Sequence, residues 1–299
     1  MIVSLSRYLL LGLALASATC ASAFDAHVTA NKVGDVWTYT LHNDESALST
    51  KRPHSLFVTL DINADLTDIT SPPGWDFETD HQTYIVWVFL ENQPISVTPA
   101  AGQSLSGFGF TSAGSKAITM PISGGCYEST GMTEAEDFFG SSDGPVNAPG
   151  GVVSGNLVLD SFDQHGSVYP APFEFRDPNT DELIALRLGF IAPDGTFGVK
   201  APTTPGTYRM STKSRSFLRK AWEVTTSPAG VTGLTGTALN GDVDDDNEIS
   251  IGDYAILSQS YGSIPGDPFW SENADLNADE AIDIGDYAIL SANYGQVGD

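Results

Sequence analysis

Along most of the chain, apolar and polar positions alternate with the period of two that marks a half-buried strand. Between residues 24 and 122 the runs "DVWTYTL", "SLFVTLDI", "TYIVWVFL", "SLSGFGFTS" and "KAITMPI" combine β-branched and aromatic residues. The turn clusters "NDES", "SPPGWD" and "ENQP" separate them, as expected of short antiparallel strands folding into a sandwich. A second block over 156–239 repeats the pattern with "NLVLDSF", "PFEFRDP", "LIALRLGFI", "TFGVKAP" and "TYRMSTKS". Between the blocks, residues 123–155 are rich in Gly and Ser and read as a linker or an excursion, with one short helix signal from Thr133 to Glu136.

The period changes after residue 240. Ile251, Tyr254, Leu257 and Tyr261 recur at helical spacing, and Ile284, Tyr287, Leu290 and Tyr294 repeat them 33 residues later inside a second copy of "IGDYAILS". Each set falls on one helical face and predicts a short amphipathic helix. The expected fold is therefore mainly β, two small antiparallel β-sandwiches over 24–122 and 156–239, followed by a small α-helical, EF-hand-like module over 240–299.

Charge sharpens this picture. The chain has 13 Lys and Arg against 38 Asp and Glu, a formal net charge of −25, which excludes long-range attraction to nucleic acid or to an anionic membrane surface. Residues 240–299 hold 14 of the acids and no Lys or Arg. So many like charges oppose compaction unless a cation neutralises them. Their spacing specifies which one. With Asp242 as position 1, oxygen-bearing side chains fall at positions 3 (Asp244), 5 (Asp246), 9 (Ser250) and 12 (Asp253). The second copy has Asp275, Asn277, Asp279, Asp283 and Asp286 at the same positions. With backbone carbonyls at position 7, from Glu248 and Ala281, this is the ligand arrangement of a calcium loop, and two copies call for two calcium ions. Apolar Ile249 and Ile282 at position 8 let the loops pack together.

The duplicated loop-then-helix, with Asp at position 12 and no full entering helix, resembles the type I dockerin module. That resemblance implies docking onto a cohesin-like or other surface scaffold protein, often in company with polysaccharide-degrading enzymes. Two departures stand out. Position 6, where Gly usually makes the turn, holds Asn247 and Glu280, residues that bear a left-handed backbone less easily than Gly. Positions 10 and 11, hydroxyl-bearing in many dockerins, are Ile251-Gly252 and Ile284-Gly285. Within the second block, Asp194, Gly195 and Phe197 followed by Pro205, Gly206 and Tyr208 resemble the carboxypeptidase-regulatory-like, or transthyretin-like, sandwich, which implies a binding or spacer role.

The first residues read as a secretory signal: Arg7, an apolar run, then Ala21-Ser22-Ala23. Cleavage after Ala23 leaves residues 1–23 out of the fold and implies a bacterial protein that is secreted or held at the cell surface, without a membrane span. It also removes Cys20, so Cys126 has no disulfide partner and reads as a small buried or loop residue.

Catalytic motifs are absent from the sequence: there is no G-x-S-x-G, H-E-x-x-H, P-loop or G-x-G-x-x-G. The acids Glu134, Glu136, Asp160, Asp163 and Glu174 could supply a glycosidase pair only if folding brought two of them face to face. His27, His42, His54, His81 and His165 lack ligand spacing. Trp37 and Trp87 read as core residues and Trp75 as the one exposed enough to stack on a polysaccharide. The cations Arg209, Lys213, Arg215, Arg219 and Lys220 form either a solvated face or a surface that docks on the acidic module. The expectation is thus a non-catalytic, calcium-binding docking protein. The alternative is a dockerin-borne polysaccharide-acting hydrolase, or its accessory component.

Overall fold

A computed structural model describes residues 24–61, 64–129, 132–164, 166 and 168–299. The expected signal segment and His165 lie outside the described residues. The fold is mainly β with two short helices at the C-terminal end. Backbone packing divides the described residues into two compact units, those from 24 to 113 with 122–144, and those of 114–121 with 145–299.

The first unit is a pair of sheets. One has the order β1-β2-β8-β5, from Ala26–Val33, Val36–Asn43, Ser104–Thr111 and Thr67–Thr70. The other runs β10-β9-β4-β7-β6, from Thr133–Val146, Lys116–Glu128, Ser55–Thr59, Tyr84–Phe89 and Trp75–Thr79, with β3 (Lys51–Pro53) also paired to β9. Gly34, at φ +62° in the two-residue connection of the β1–β2 hairpin, supplies the left-handed backbone that such a turn demands. Alternation then does the sorting. Trp37, Tyr39 and Leu41 from one sheet meet Leu56, Val58, Ile85, Trp87 and Phe138 from the other in a single buried cluster. The polar atoms drawn inside are satisfied: the Tyr39 hydroxyl donates to the Asp143 carbonyl at 3.1 Å, and the Trp87 indole to the Thr70 carbonyl at 2.9 Å.

Three expectations change here. The stretch 123–155 is not an irregular connection; it contains the end of β9, the fourteen residues of β10 and the start of β11 (Val152–Leu159). Glycine is what the pairing needs: a Cβ on Gly124 would lie 2.2 Å from the Ser55 carbonyl oxygen and 2.5 Å from the Phe138 ring. The helix signal at Thr133–Glu136 lies within β10, where Phe138 is buried and Phe139 exposed, so tertiary pairing overrides local propensity. Trp75 is buried against Phe89 and Phe108. With Trp37 and Trp87 also in the core, none of the three offers a face for sugar stacking.

His54 is buried in this unit, stacked on Tyr127, and burial pushes its imidazole down to about 4. The native state therefore holds it neutral where the unfolded chain, near 6.5, binds a proton. Its contribution is complete above about pH 6.5 and is lost as pH falls toward 4, about 3 kcal/mol in all. Urea midpoints at pH 7 and pH 4.5 should separate more for the wild-type first unit than for His54→Gln; equal separations would show that the ring's burial has no such cost. Cys126 is buried on β9, and burial pushes its thiol up to about 11, consistent with an inert packing residue.

The sandwich expected over 156–239 takes the form of one seven-stranded sheet in the order β16-β15-β12-β13-β14-β11-β17. Its strands are β11, β12 (Tyr169–Arg176), β13 (Leu183–Ile191), β14 (Thr196–Lys200), β15 (Thr207–Thr212), β16 (Lys220–Thr225) and β17 (Val231–Ala238). All pairs are antiparallel except β11–β17. The sheet curls so that its ends meet: the Trp222 indole of β16 donates to the Thr235 carbonyl of β17 at 2.9 Å. Phe173, Phe175, Phe197, Met210 and Val224 fill the interior. Gly195 makes the β13–β14 turn at φ +85°, and Tyr208 donates back to the Thr204 carbonyl at 2.7 Å.

Candidate metal centre

Two helices, α1 (Ile251–Ser260) and α2 (Ile284–Asn293), follow the two acidic loops. Each begins with a capping box. Ser250 accepts from the Gly252 amide and Asp283 from the Gly285 amide, while Asp253 and Asp286, at N3, accept from the backbone amides of Ser250 and Asp283. Position 9 thus caps the helix, and position 12 stands in its first turn, where a carboxylate also meets the positive end of the helix dipole.

The loops match bond for bond. Asp253 takes the amides of Val243 and Asp244 at 2.5 and 3.1 Å; Asp286 takes those of Leu276 and Asn277 at 2.7 and 3.4 Å. Asp242 Oδ2 accepts from the Asn247 amide at 2.9 Å, and Asp275 Oδ2 from the Glu280 amide at 3.2 Å. Asp246 and Asp279 accept from the amides of Glu248 and Ala281 at 2.9 and 3.0 Å. Positions 4 and 6 are left-handed in both copies: Asp245 and Asn247 at φ +68° and +72°, Ala278 and Glu280 at +63° and +67°. The turn at position 6 therefore forms without glycine, and its backbone cost is offset by the hydrogen bond that the residue's own amide gives to position 1.

In the first loop, one ligand atom each from Asp242, Asp244 and Asp246 lies within 4.8 Å of the others. Burial first, and neighbouring carboxylates next, raise the proton affinity of four carboxylates in the two loops. Asp242, Asp244 and Asp286 all lie above the usual carboxylate range, and Asp275 is pushed up to about 6, by burial first and by Asp286 next. Asp242 and Asp275 each leave Oδ1 buried with no hydrogen-bond partner in the protein. A buried carboxylate oxygen without a donor is costly. The same orphan at position 1 of both loops, beside further oxygen donors, fits a hard divalent cation with oxygen ligands.

The two halves interlock. The Gly262 amide, just past α1, donates to the Ile282 carbonyl at 2.8 Å, and the Gly295 amide, just past α2, donates to the Ile249 carbonyl at 2.8 Å. Ile249 and Ile282 therefore share a core, as expected, but their backbones bond to the turn after the opposite helix. That core also contains Leu257, Ala274, Leu276 and Leu290. Tyr254 and Tyr287 are half-buried between the helices, each hydroxyl bonded to a serine of the other helix (Ser291 and Ser258). Ile251 and Ile284, expected to face inward with them, are 73% and 71% exposed, because the first helical residue points off the end of the packed face.

Part of the module comes from outside the repeats. The segment between β15 and β16 supplies Leu218 to the module's core. The Ser216 carbonyl accepts from the amides of Gly241 and Asp242 at 2.9 and 2.8 Å, the Leu218 amide donates to the Leu239 carbonyl, and the Arg219 amide donates to Asn247 Oδ1 at 2.8 Å. Asn240, fully buried, joins Ser216, Leu276 and Asn293. The sequence marks none of these except through the basic cluster. Three of its five cations meet the acidic module, Lys213 pairing with Asp242 and Asp245, Arg215 with Glu272, and Lys220 with Asp299, while Arg209 pairs with Asp181 and Arg219 with Glu174. Three of the five candidate catalytic acids have partners of their own. Glu136 binds Lys51, Glu174 lies between Arg176 and Arg219, and Asp160 accepts from Asn293 at 2.8 Å.

No curated protein matches the chain in sequence. Among solved structures, a mutant type II cohesin–X–dockerin complex from Acetivibrio cellulolyticus is 20% identical, with a TM-score of 0.40, over 50% of this chain and 98% of that one. The major pilin subunit of Bacillus cereus is 10% identical, TM-score 0.28, over 71% and 69%. An Actinomyces fimbrial adhesin is 12% identical, TM-score 0.26, over 71% and 98%. The family model of the dockerin type I domain matches residues 240–293, the segment that contains both loops and both helices.

Proposed function

We propose that the protein is an exported, non-catalytic modular protein whose C-terminal module binds two calcium ions and docks onto a cohesin-like scaffold protein outside the cell. The ligands would be Asp242, Asp244, Asp246, the Glu248 carbonyl, Ser250 and Asp253 in the first loop. In the second they would be Asp275, Asn277, Asp279, the Ala281 carbonyl, Asp283 and Asp286. The observation that carries this reading is the pair of orphaned, buried Oδ1 atoms on Asp242 and Asp275, within a segment that matches the dockerin model. The bound ions would neutralise carboxylates that otherwise repel one another and would hold each loop against its helix.

The docking face would be the exposed, twice-written apolar pair Ile251 and Ile284 with Tyr261 and Tyr294, all more than half exposed. Apolar residues where hydroxyls are common call for a partner with an apolar complement. The β units would present or space whatever the docked chain carries. No helix among the described residues is long and apolar enough to cross a membrane.

The test is calcium titration of the full chain, then binding to an immobilised panel of cohesin modules with calcium or with EDTA. Asp253→Ala with Asp286→Ala serves as the control. Calcium uptake, and binding lost in EDTA and in the double variant, is the expected result. A chain that takes up no calcium while its module is folded would refute the calcium assignment; calcium uptake with no cohesin bound would refute the docking assignment alone.

A further inference from the structure

The two loops share six of their twelve residues and carry four carboxylates each at the ligand positions, and they match in hydrogen bonding, yet the surrounding protein treats them differently. Lys213, immediately after β15, extends from the seven-stranded sheet to the first loop. Its ammonium lies 2.8 Å from Asp242 Oδ2 and also contacts Asp245, and its side chain is only 11% exposed. Asp242 is position 1, the residue whose other oxygen is buried and unpartnered. The equivalent oxygen in the second loop, Asp275 Oδ2, accepts the Glu280 amide. Among the described residues no Lys or Arg forms an ion pair with Asp275. Arg215 is engaged with Glu272 instead.

We propose that Lys213 is a built-in cation that makes the first loop the weaker of the two calcium sites, linking its filling to the sheet from which the lysine extends. The inference rests on the calcium reading above. An ammonium on the far oxygen of a ligand carboxylate does two things: it removes part of the charge that attracts a divalent ion, and it fixes the carboxylate's orientation. These act in opposite directions. The Asn247 amide already holds the same oxygen at 2.9 Å, so orientation survives without the lysine, and the charge effect dominates. Low exposure of Lys213 and Asp242 limits solvent screening, so an ion held by the same carboxylate would meet the ammonium's positive charge with little water between to weaken it.

Calorimetric titration of calcium into the chelator-treated full chain tests this directly. The wild type should show two unequal affinities. Lys213→Met should tighten the weaker one by about tenfold and leave the tighter within about threefold. Lys213→Arg, which keeps the charge, should preserve the wild-type pair of affinities. Lys220→Met, which removes a cation that pairs with Asp299 away from the ligands, should move neither. Equal wild-type affinities would overturn the proposal even if Lys213→Met failed to fold, and so would a weaker site that Lys213→Met leaves unchanged or loosens. Absence of any calcium heat in a wild-type chain with an intact helical signal would instead remove the calcium reading itself, and this inference with it.

Discussion

Stripping calcium from the full chain should melt residues 240–299 while the strand signal persists. At free calcium a thousandfold above Kd, each site stabilises its folded form by about 4 kcal/mol, so two sites contribute about 8 kcal/mol, as much as the whole stability of many small domains. Without the ions, the module must hold the fully buried carboxylates of Asp242, Asp253 and Asp286 amid 14 acids and no Lys or Arg of its own. Its apolar core, eight buried residues including Leu218, is too small to offset that repulsion. Circular dichroism at 222 nm during an EDTA titration reads the outcome. A helical signal that persists unchanged in excess chelator, with the same midpoint on heating, would mean that packing and the capping boxes suffice and that the ions are dispensable to the fold.

The second large effect is expected from a residue outside the repeats. Leu218 is almost fully buried in the module's core, although it belongs to the segment between β15 and β16. Leu218→Ala should destabilise the calcium-saturated module by about 3 kcal/mol, within the range for truncating a buried leucine. Leu186→Ala, on the 55%-exposed face of β13, should cost close to nothing. Thermal melts of the three proteins in excess calcium make the comparison. Equal midpoints for Leu218→Ala and the wild type would show that the module closes its core without help from the sheet.

What could be read in advance depended on how far apart in sequence the cooperating residues are. The acidic loops place their side chains within twelve consecutive positions, so spacing alone names the candidate donors, the first helical turn and the second copy. Strand alternation around Trp37, Tyr39 and Leu41 is equally local. Pairings between distant segments leave no such trace. Nothing near Leu218 or Ser216 announces a partner more than twenty residues on, and in sequence Lys213 is one member of a charge cluster with two possible roles, between which only its contact with Asp242 decides. The stretch "SGGCYESTGMTEAEDFFGSSDGPV" reads as irregular because glycine is usually a strand breaker. Here Gly124 lies so close to the Ser55 backbone and to Phe138 that a side chain could not fit. Trp75, set among prolines and glycine, carried a turn-like context that hid its contact with Phe108. Ile251 and Ile284 show the converse limit: helical periodicity assigns a face but does not say where along the helix the packed face begins.

The junction between β17 and the calcium module has a mechanical consequence. β17 ends at Ala238, and Asn240 already bridges Phe217 in the neighbouring segment. Gly241 and Asp242 are tied to Ser216, and Asp299 to Lys220 and Ala221. A partner gripping α1 and α2 would therefore pull on no slack tether. Tension would pass across several hydrogen bonds loaded side by side, and the curled sheet would follow the docked helices as a lever follows its handle, with its bearing set by the fold rather than by chance.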